Sequence, residues 1–326
     1  MMKRTRRWLA AFAIAALAPQ AGAASLGDMY SVTVPVTAQG EAAQQAAFRE
    51  AMRDILVRAT GRRDAAELER LAPLVSQAGR YVLSFRRATG GQLAVSFDGA
   101  TIENAIDAAG LPFWGPDRPL TLVWLAVDRG GRRSLATAGD ERQRVERAAA
   151  RRGVPLAWPG AGDDLVRGLQ QAWSRDHDPL VNAARRYGAD GVLIGRAMQT
   201  AAGQFSVEWT FSSAGLSAET RGDLDAGPDL AADRYASAYA SRNAGQRVEQ
   251  IVTVTGIDTL EAYALALKSL GRLSLVRGVA VDEVTPDAVS FALTVRGDPD
   301  TLRQAIRREG RLVPVDESRM IFALAP

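Results

Sequence analysis

Apolar residues recur in three successive stretches of this chain, each alternating strand and helix periods. In the first, Met29–Thr37 alternates and is rich in β-branched residues, which predicts a strand. Pro35 inside it places that strand at a sheet edge, because proline cannot donate to a ladder. Phe48, Met52, Ile55, Leu56 and Ala59 fall on one face of a 3.6-residue period and predict a helix over 41–59 that stops at Gly61. On its outer face Asp54 and Arg58 stand at favourable i,i+4 spacing. A second helix is expected over about 64–78. Tyr81–Arg87 and Gln92–Asp98 flank Gly90-Gly91 as a hairpin, and 99–109 reads as a third helix. These elements make a small α+β unit over residues 24–112.

The clearest break is Leu111–Pro119, with three prolines and a glycine in nine residues, a composition that excludes helix and central strand alike. After it, residues 120–127 are almost wholly apolar, as in a strand covered on both faces. Helices over about 139–152, 163–174 and 178–187, a short strand over 152–159 and strands over 192–197 and 204–212 complete an expected central α/β sandwich over 113–225. In the strand over 204–212, Phe205, Val207, Trp209 and Phe211 face one way and Ser206, Glu208 and Thr210 the other. Gly188, Gly191 and Gly195 read as points of close backbone packing. Residues 226–326 are expected to form a helix (226–242) followed by a ferredoxin-like βαββαβ unit. Its strands are 248–255, 276–284, 288–296 and 319–324, and its helices 258–270 and 298–309.

The N-terminus changes the electrostatic picture. Four basic residues (Lys3, Arg4, Arg6, Arg7), an apolar run and Ala21-Gly22-Ala23 form the pattern of a secretory signal peptide over residues 1–23, cleaved before Ala24. No later segment is long and apolar enough to span a membrane. Removing the signal leaves 36 of the 40 basic residues against 37 acidic ones, a net charge of −1. A nucleic-acid partner therefore loses its main support. The sequence has no cysteine, so it has no disulfide framework, thiolate metal site or lipid-anchor site. After the signal the only lysine is Lys268, against many arginines, which we read as a coding-sequence habit.

Candidate chemistry is sparse. The single histidine, His177, would have to serve any Ser–His–Asp triad or histidine zinc site, yet Asp178-Pro179 beside it reads as a helix start. No G-x-S-x-G elbow, P-loop or G-x-G-x-x-G occurs. Acidic pairs such as Asp223/Asp225 and Asp298/Asp300 lack the spacing of a calcium loop. No catalytic residue, metal ligand or cofactor is therefore assigned. The best remaining feature is a set of five tryptophans in or beside the central unit. Trp114 and Trp158, with Arg118 beside the first, sit at element ends where α/β sheets bind ligands, and mark a candidate groove for a ligand or partner. The expected function is a non-enzymatic periplasmic interaction or assembly protein with envelope partners. The alternative is a cell-wall glycan- or peptide-binding protein or hydrolase.

Several motifs support export. Tyr30-Ser-Val-Thr-Val-Pro-Val, Leu56-Val-Arg-Ala-Thr-Gly-Arg, Leu111–Leu125, Arg152–Pro159 and Ala189–Arg196 together resemble a family of exported Gram-negative proteins. That family is the domain of unknown function numbered two thousand and sixty-six. The resemblance implies export and brings no activity and no site residues. The central layout is also similar to α/β domains of envelope proteins that bind protein partners, such as the N-terminal domain of the Tol-system periplasmic protein. That likeness is at the level of fold alone.

Overall fold

The structure is a computed structural model that describes residues 29–36, 38–160, 163–174, 176–240, 247–273, 275–296 and 299–325. The expected signal peptide lies outside the described residues.

Strand β1 (Ser31–Pro35) leads into helix α1 (Glu41–Thr60), which ends where Gly61 turns into the left-handed region at φ 72°. The expected second helix is reduced to 3-10 turns and the single helical turn α2 (Ala72–Ser76), because Pro73 lacks the N–H that would continue a helix from the residues before it. β2 (Val82–Ala88) and β3 (Gln92–Phe97) form the predicted hairpin, and α3 (Gly99–Ala108) starts under an Asp98 cap. The sheet order is β1-β3-β2, so β1 is an edge strand as Pro35 requires. Met52, Ile55 and Leu56 of α1 and Val95 and Phe97 of β3 build its core.

The central unit holds β4 (Thr121–Arg129), β5 (Arg132–Leu135), α4 (Asp140–Arg152), β6 (Leu156–Ala157), α5 (Asp163–Trp173) and α6 (Asp178–Ala183). It continues through β7 (Gly191–Ala201), β8 (Gln204–Ser213), β9 (Leu216–Gly222) and α7 (Ala226–Tyr239). Its sheet runs β5-β4-β7-β8-β9, with β6 beside β4, and β4 pairs with β7 and β6 in parallel. α5 and α6 cover one face over β4 and β7, where Leu122, Trp124 and Ile194 are buried. α4 and α7 cover the other, where Val123, Leu193, Trp209 and Phe211 are buried. Trp209 explains one predicted glycine. A Cβ on Gly195 would lie 2.5 Å from the indole, and one on Gly227 2.4 Å from it. β9 escapes the sequence pattern because it is a polar edge strand. α7 was expected to open the C-terminal unit, but its Ala231, Ala232 and Tyr235 are buried in the central core. Its alanine stripe gives little hydrophobic contrast, and only packing reveals its place.

The C-terminal unit comprises β10 (Arg247–Thr255), α8 (Leu260–Gly271), β11 (Val276–Val284), β12 (Ala288–Arg296), α9 (Pro299–Glu309), β13 (Leu312–Asp316) and β14 (Ile321–Leu324). The sheet order is β11-β12-β10-β14-β13. This is the ferredoxin-like arrangement with one change: a hairpin occupies the last position, and β14 lies beside β10 in parallel. The unpredicted strand β13 contains Pro314, which an edge position tolerates.

Four buried arginines join the three units. Arg58 of α1, expected on an outer face, donates to the carbonyls of Met29, Ser31 and Ala150 (3.3, 3.0 and 3.0 Å), reaching from the edge of β1 to α4. Arg118 of the linker donates to the carbonyls of Arg58 and Trp114 (2.8 and 2.7 Å). Arg152 reaches the Gly61 carbonyl at 3.1 Å and Asp233 of α7 at 2.5 Å. Arg296 of β12 pairs with Asp107 and Glu103 of α3 and lies 4.3 Å from the Phe113 ring centre.

Arg296→Ala leaves the partly buried Asp107 without its cation, while Glu103 keeps Arg277, and breaking such a buried pair costs about 3–5 kcal/mol. The expected result is a C-terminal unit that separates from the rest, seen as a larger radius of gyration in X-ray scattering and a second thermal transition. Arg296→Lys should restore only part of the coupling, since an ammonium cannot span both carboxylates in one plane. A variant with unchanged scattering would show that this seam is held elsewhere.

Candidate functional site

A groove of about 1240 Å³ lies against the N-terminal sheet. One side is β1. Phe97 N–H donates to the Tyr30 carbonyl and Val36 N–H to that of Gly91. This parity turns the main-chain groups of Tyr30, Val32, Val34 and Val36 toward β3. The groups of Met29, Ser31, Thr33 and Pro35 therefore point to the free edge. Arg58 takes the carbonyls of Met29 and Ser31. Among the described residues nothing occupies the N–H and C=O of Thr33.

The second side is a stripe of α1: Ala43, Ala46, Ala47, Glu50 and Asp54. Small side chains spaced along one face leave room beside the strand. The third side comes from α4, with Arg147, Ala150 and Arg151. Phe85 and Arg86 of β2 also line the groove. Phe85 is 49 % exposed, although its ring meets Phe48 edge-on at 5.3 Å between centroids.

Asp54 is the perturbed acid of this surface. Burial, aided by the neighbouring Glu50 charge, raises its pKa from 3.8 to about 6, and Arg58 and Arg151 oppose the rise. The sequence offered no sign of this, since Asp54 has the spacing of an ordinary exposed helix residue. The signal lay in the alanines around it, which remove the bulk that would otherwise fill the groove.

The sequence-predicted groove residues are placed elsewhere. Trp114 and Arg118 are 1 % and 0 % exposed, and the Arg118 guanidinium lies 3.5 Å from the Trp114 ring centre. Burial, with the neighbouring Arg58 charge, lowers the Arg118 pKa well below its usual value, against the opposing pull of Tyr30 and Asp117. Trp114 borders only a cavity of about 50 Å³ at the C-terminal seam. Trp158 is half-buried under the Arg142 guanidinium, 4.9 Å from its ring centre. Prolines and glycines around these residues mark a joint between units, not a ligand groove, and the three do not form one surface.

His177 borders a separate hollow of about 410 Å³ on the open part of the central sheet, with Ser174, Arg196, Glu208 and Arg221. The Ser174 hydroxyl lies 2.8 and 2.7 Å from the carbonyls of Gln171 and Asp176, so its proton is directed to main chain. Glu208 sits between Arg196 and Arg221 at 2.5 Å from each, matching the cross-strand register of the three residues. That carboxylate is thus committed to the two guanidiniums and not to His177. The hollow therefore brings a serine, a histidine and an acid near one another without linking them as nucleophile, base and orienting acid. Among the described residues no cluster of three or more His, Asp or Glu side chains could hold a metal ion. No helix among them is long and apolar enough to cross a membrane.

Residues 23–115 match the profile of a domain of unknown function (DUF8605). The matched stretch carries β1, α1, α2, β2, β3 and α3 and so supplies most of the groove, but not the α4 arginines. The match bears out a domain of unknown function in the N-terminal stretch, but not the particular numbered family that the motifs resemble. Three of the five motifs lie wholly or mainly beyond the matched stretch. No curated protein matches the chain.

In folded protein, ionised Asp54 is the unfavourable form. Its cost is absent below the unfolded value near 3.8, grows as pH rises toward about 6, and is complete above that. Asp54→Asn should therefore stabilise the protein above pH 6 by about 1 kcal/mol, once solvent screening of this partly exposed group is allowed for. At a pH below the unfolded value the two proteins should unfold alike. Urea denaturation at both ends of the range checks this, and a variant less stable at neutral pH contradicts the assignment.

Proposed function

We propose that the protein is a non-enzymatic docking protein of the cell envelope, exported by its N-terminal segment, that takes an extended segment of a partner protein in the N-terminal groove. The observation that carries this reading is the free edge at Thr33, open beside an alanine-lined groove. An unpaired strand edge is a template for strand addition. Natural edges are usually blunted, and here Arg58 and Pro35 blunt only part of the edge. The half-exposed Phe85 of β2, across β3 from that edge, offers an apolar contact in the same groove, as docking surfaces commonly do. The basic, apolar start of the chain and its lack of cysteine support export without a lipid anchor.

The test is a photo-crosslinking residue placed at Phe85 in the native host, compared with one at Val284, an exposed position of the C-terminal sheet. We expect a discrete protein adduct from position 85 that disappears with Thr33→Pro, and none with that dependence from position 284. The mature chain recovered from the periplasmic fraction should begin at Ala24. Adducts from position 85 that ignore Thr33→Pro count against strand addition, and a chain retained in the cytoplasm counts against the envelope role.

A further inference from the structure

We infer that the segment taken up by the N-terminal groove is acidic. This rests on the docking reading above and assigns its partner's chemistry. The free edge supplies little by itself. With the carbonyls of Met29 and Ser31 already held by Arg58, the main-chain contribution is limited to the N–H and C=O of Thr33 and the C=O of Pro35. Three such bonds contribute modestly in water, so side chains must provide the rest of the affinity and the selectivity.

The charges that line the groove are unbalanced. Arg86 of β2 and Arg147 of α4 meet no carboxylate among the described residues, and both line the groove. Arg151 also lines it, and although it reaches Asp225 at 3.1 Å it remains exposed. On the acidic side Glu50 is engaged by Arg53 at 3.2 Å. Asp54 is the one other acid in the lining. An extended segment alternates its side chains, so one running along β1 would present every second residue to the same wall. Acidic residues facing α4 would meet the Arg147 and Arg151 guanidiniums, which bind carboxylates in a planar fork, while Arg86 adds positive charge to the groove from β2, across β3. A basic segment would leave Arg86 and Arg147 opposed by like charge.

The same layout makes uptake sensitive to pH. Asp54 is faced by Glu50 and Arg58 from its own helix and by Arg151 from α4, and Arg147 and Arg86 line the same groove. Its carboxyl titrates near 6, so acidification removes one of the two negative charges from the lining. An acidic segment should therefore bind more tightly at pH 5.5 than at pH 7.5.

The experiment uses the mature chain and two fluorescent octapeptides, an alternating Val-Glu sequence and an alternating Val-Lys sequence, followed by fluorescence anisotropy. The Val-Glu peptide should bind about tenfold more tightly than Val-Lys, and less so as salt is raised. The double variant Arg86→Glu, Arg147→Glu should reverse that order. Lowering the pH from 7.5 to 5.5 should tighten Val-Glu binding about twofold to threefold in the native protein and not in Asp54→Asn. Thr33→Pro should weaken both peptides, with Thr33→Ala as the control that keeps the main-chain donor. Circular dichroism establishes that each variant is folded. Equal binding of both peptides, still sensitive to Thr33→Pro, overturns the acidic preference and leaves docking intact. Binding of neither peptide, or binding indifferent to Thr33→Pro, overturns both.

Discussion

Guanidinium groups bonded to main-chain carbonyls hold this molecule together across its seams. Arg58, Arg118, Arg152 and Arg296 are the buried charged side chains among the described residues, and each lies where two units or a unit and the linker meet. A buried cation needs acceptors, and each of the four has at least one main-chain carbonyl, although nitrogens such as Arg118 Nε and Nη1 have no hydrogen-bond partner among the described residues. The loop and helix-end carbonyls at these junctions need donors of their own. One planar fork with five N–H groups can serve two elements at once, which an ammonium on a flexible stem cannot. At these four positions the preference for arginine over lysine is therefore structural, whatever the base composition of the coding sequence contributes elsewhere.

Arg58 links this scaffold to the groove. Its guanidinium binds the carbonyls of Met29 and Ser31 on one side and Ala150 on the other, which sets the distance between β1 and α4. The groove is thus formed as the chain folds, and the ordering of its walls is a cost of folding. The same placement half-buries Asp54. Perturbed acid and open strand edge have a common origin in how α1 is pinned between two units.

Much of this was legible in the sequence, and the exceptions have physical reasons. Pro35 announced the edge strand, the stripe from Phe48 to Ala59 announced α1, and the order of periods after residue 247 announced a ferredoxin-like unit. β13 was hidden by Pro314 and β9 by its polar edge position. α7 was assigned to the wrong unit because alanines mark a face too faintly to say which sheet it covers. Trp114 and Arg118 were read as a surface because local sequence gives the end of an element but not what packs on it. The groove was illegible for a deeper reason: its charges come from α1, β2 and α4, as much as about 100 residues apart, and only tertiary packing brings Asp54 beside Arg151.

Gly61 and Arg118 bear on where this chain can be cut. The matched family segment stops at residue 115, three positions before Arg118. A methyl on Gly61 would fall 2.3 Å from the Ala236 Cβ of α7, so the end of α1 is moulded to the central unit. Excising the segment at its sequence boundary would strip the donors from the Arg58 and Trp114 carbonyls and bare an indole that is 1 % exposed in the whole chain. The stretch that matches the profile is therefore shorter than the stretch that can stand by itself in water.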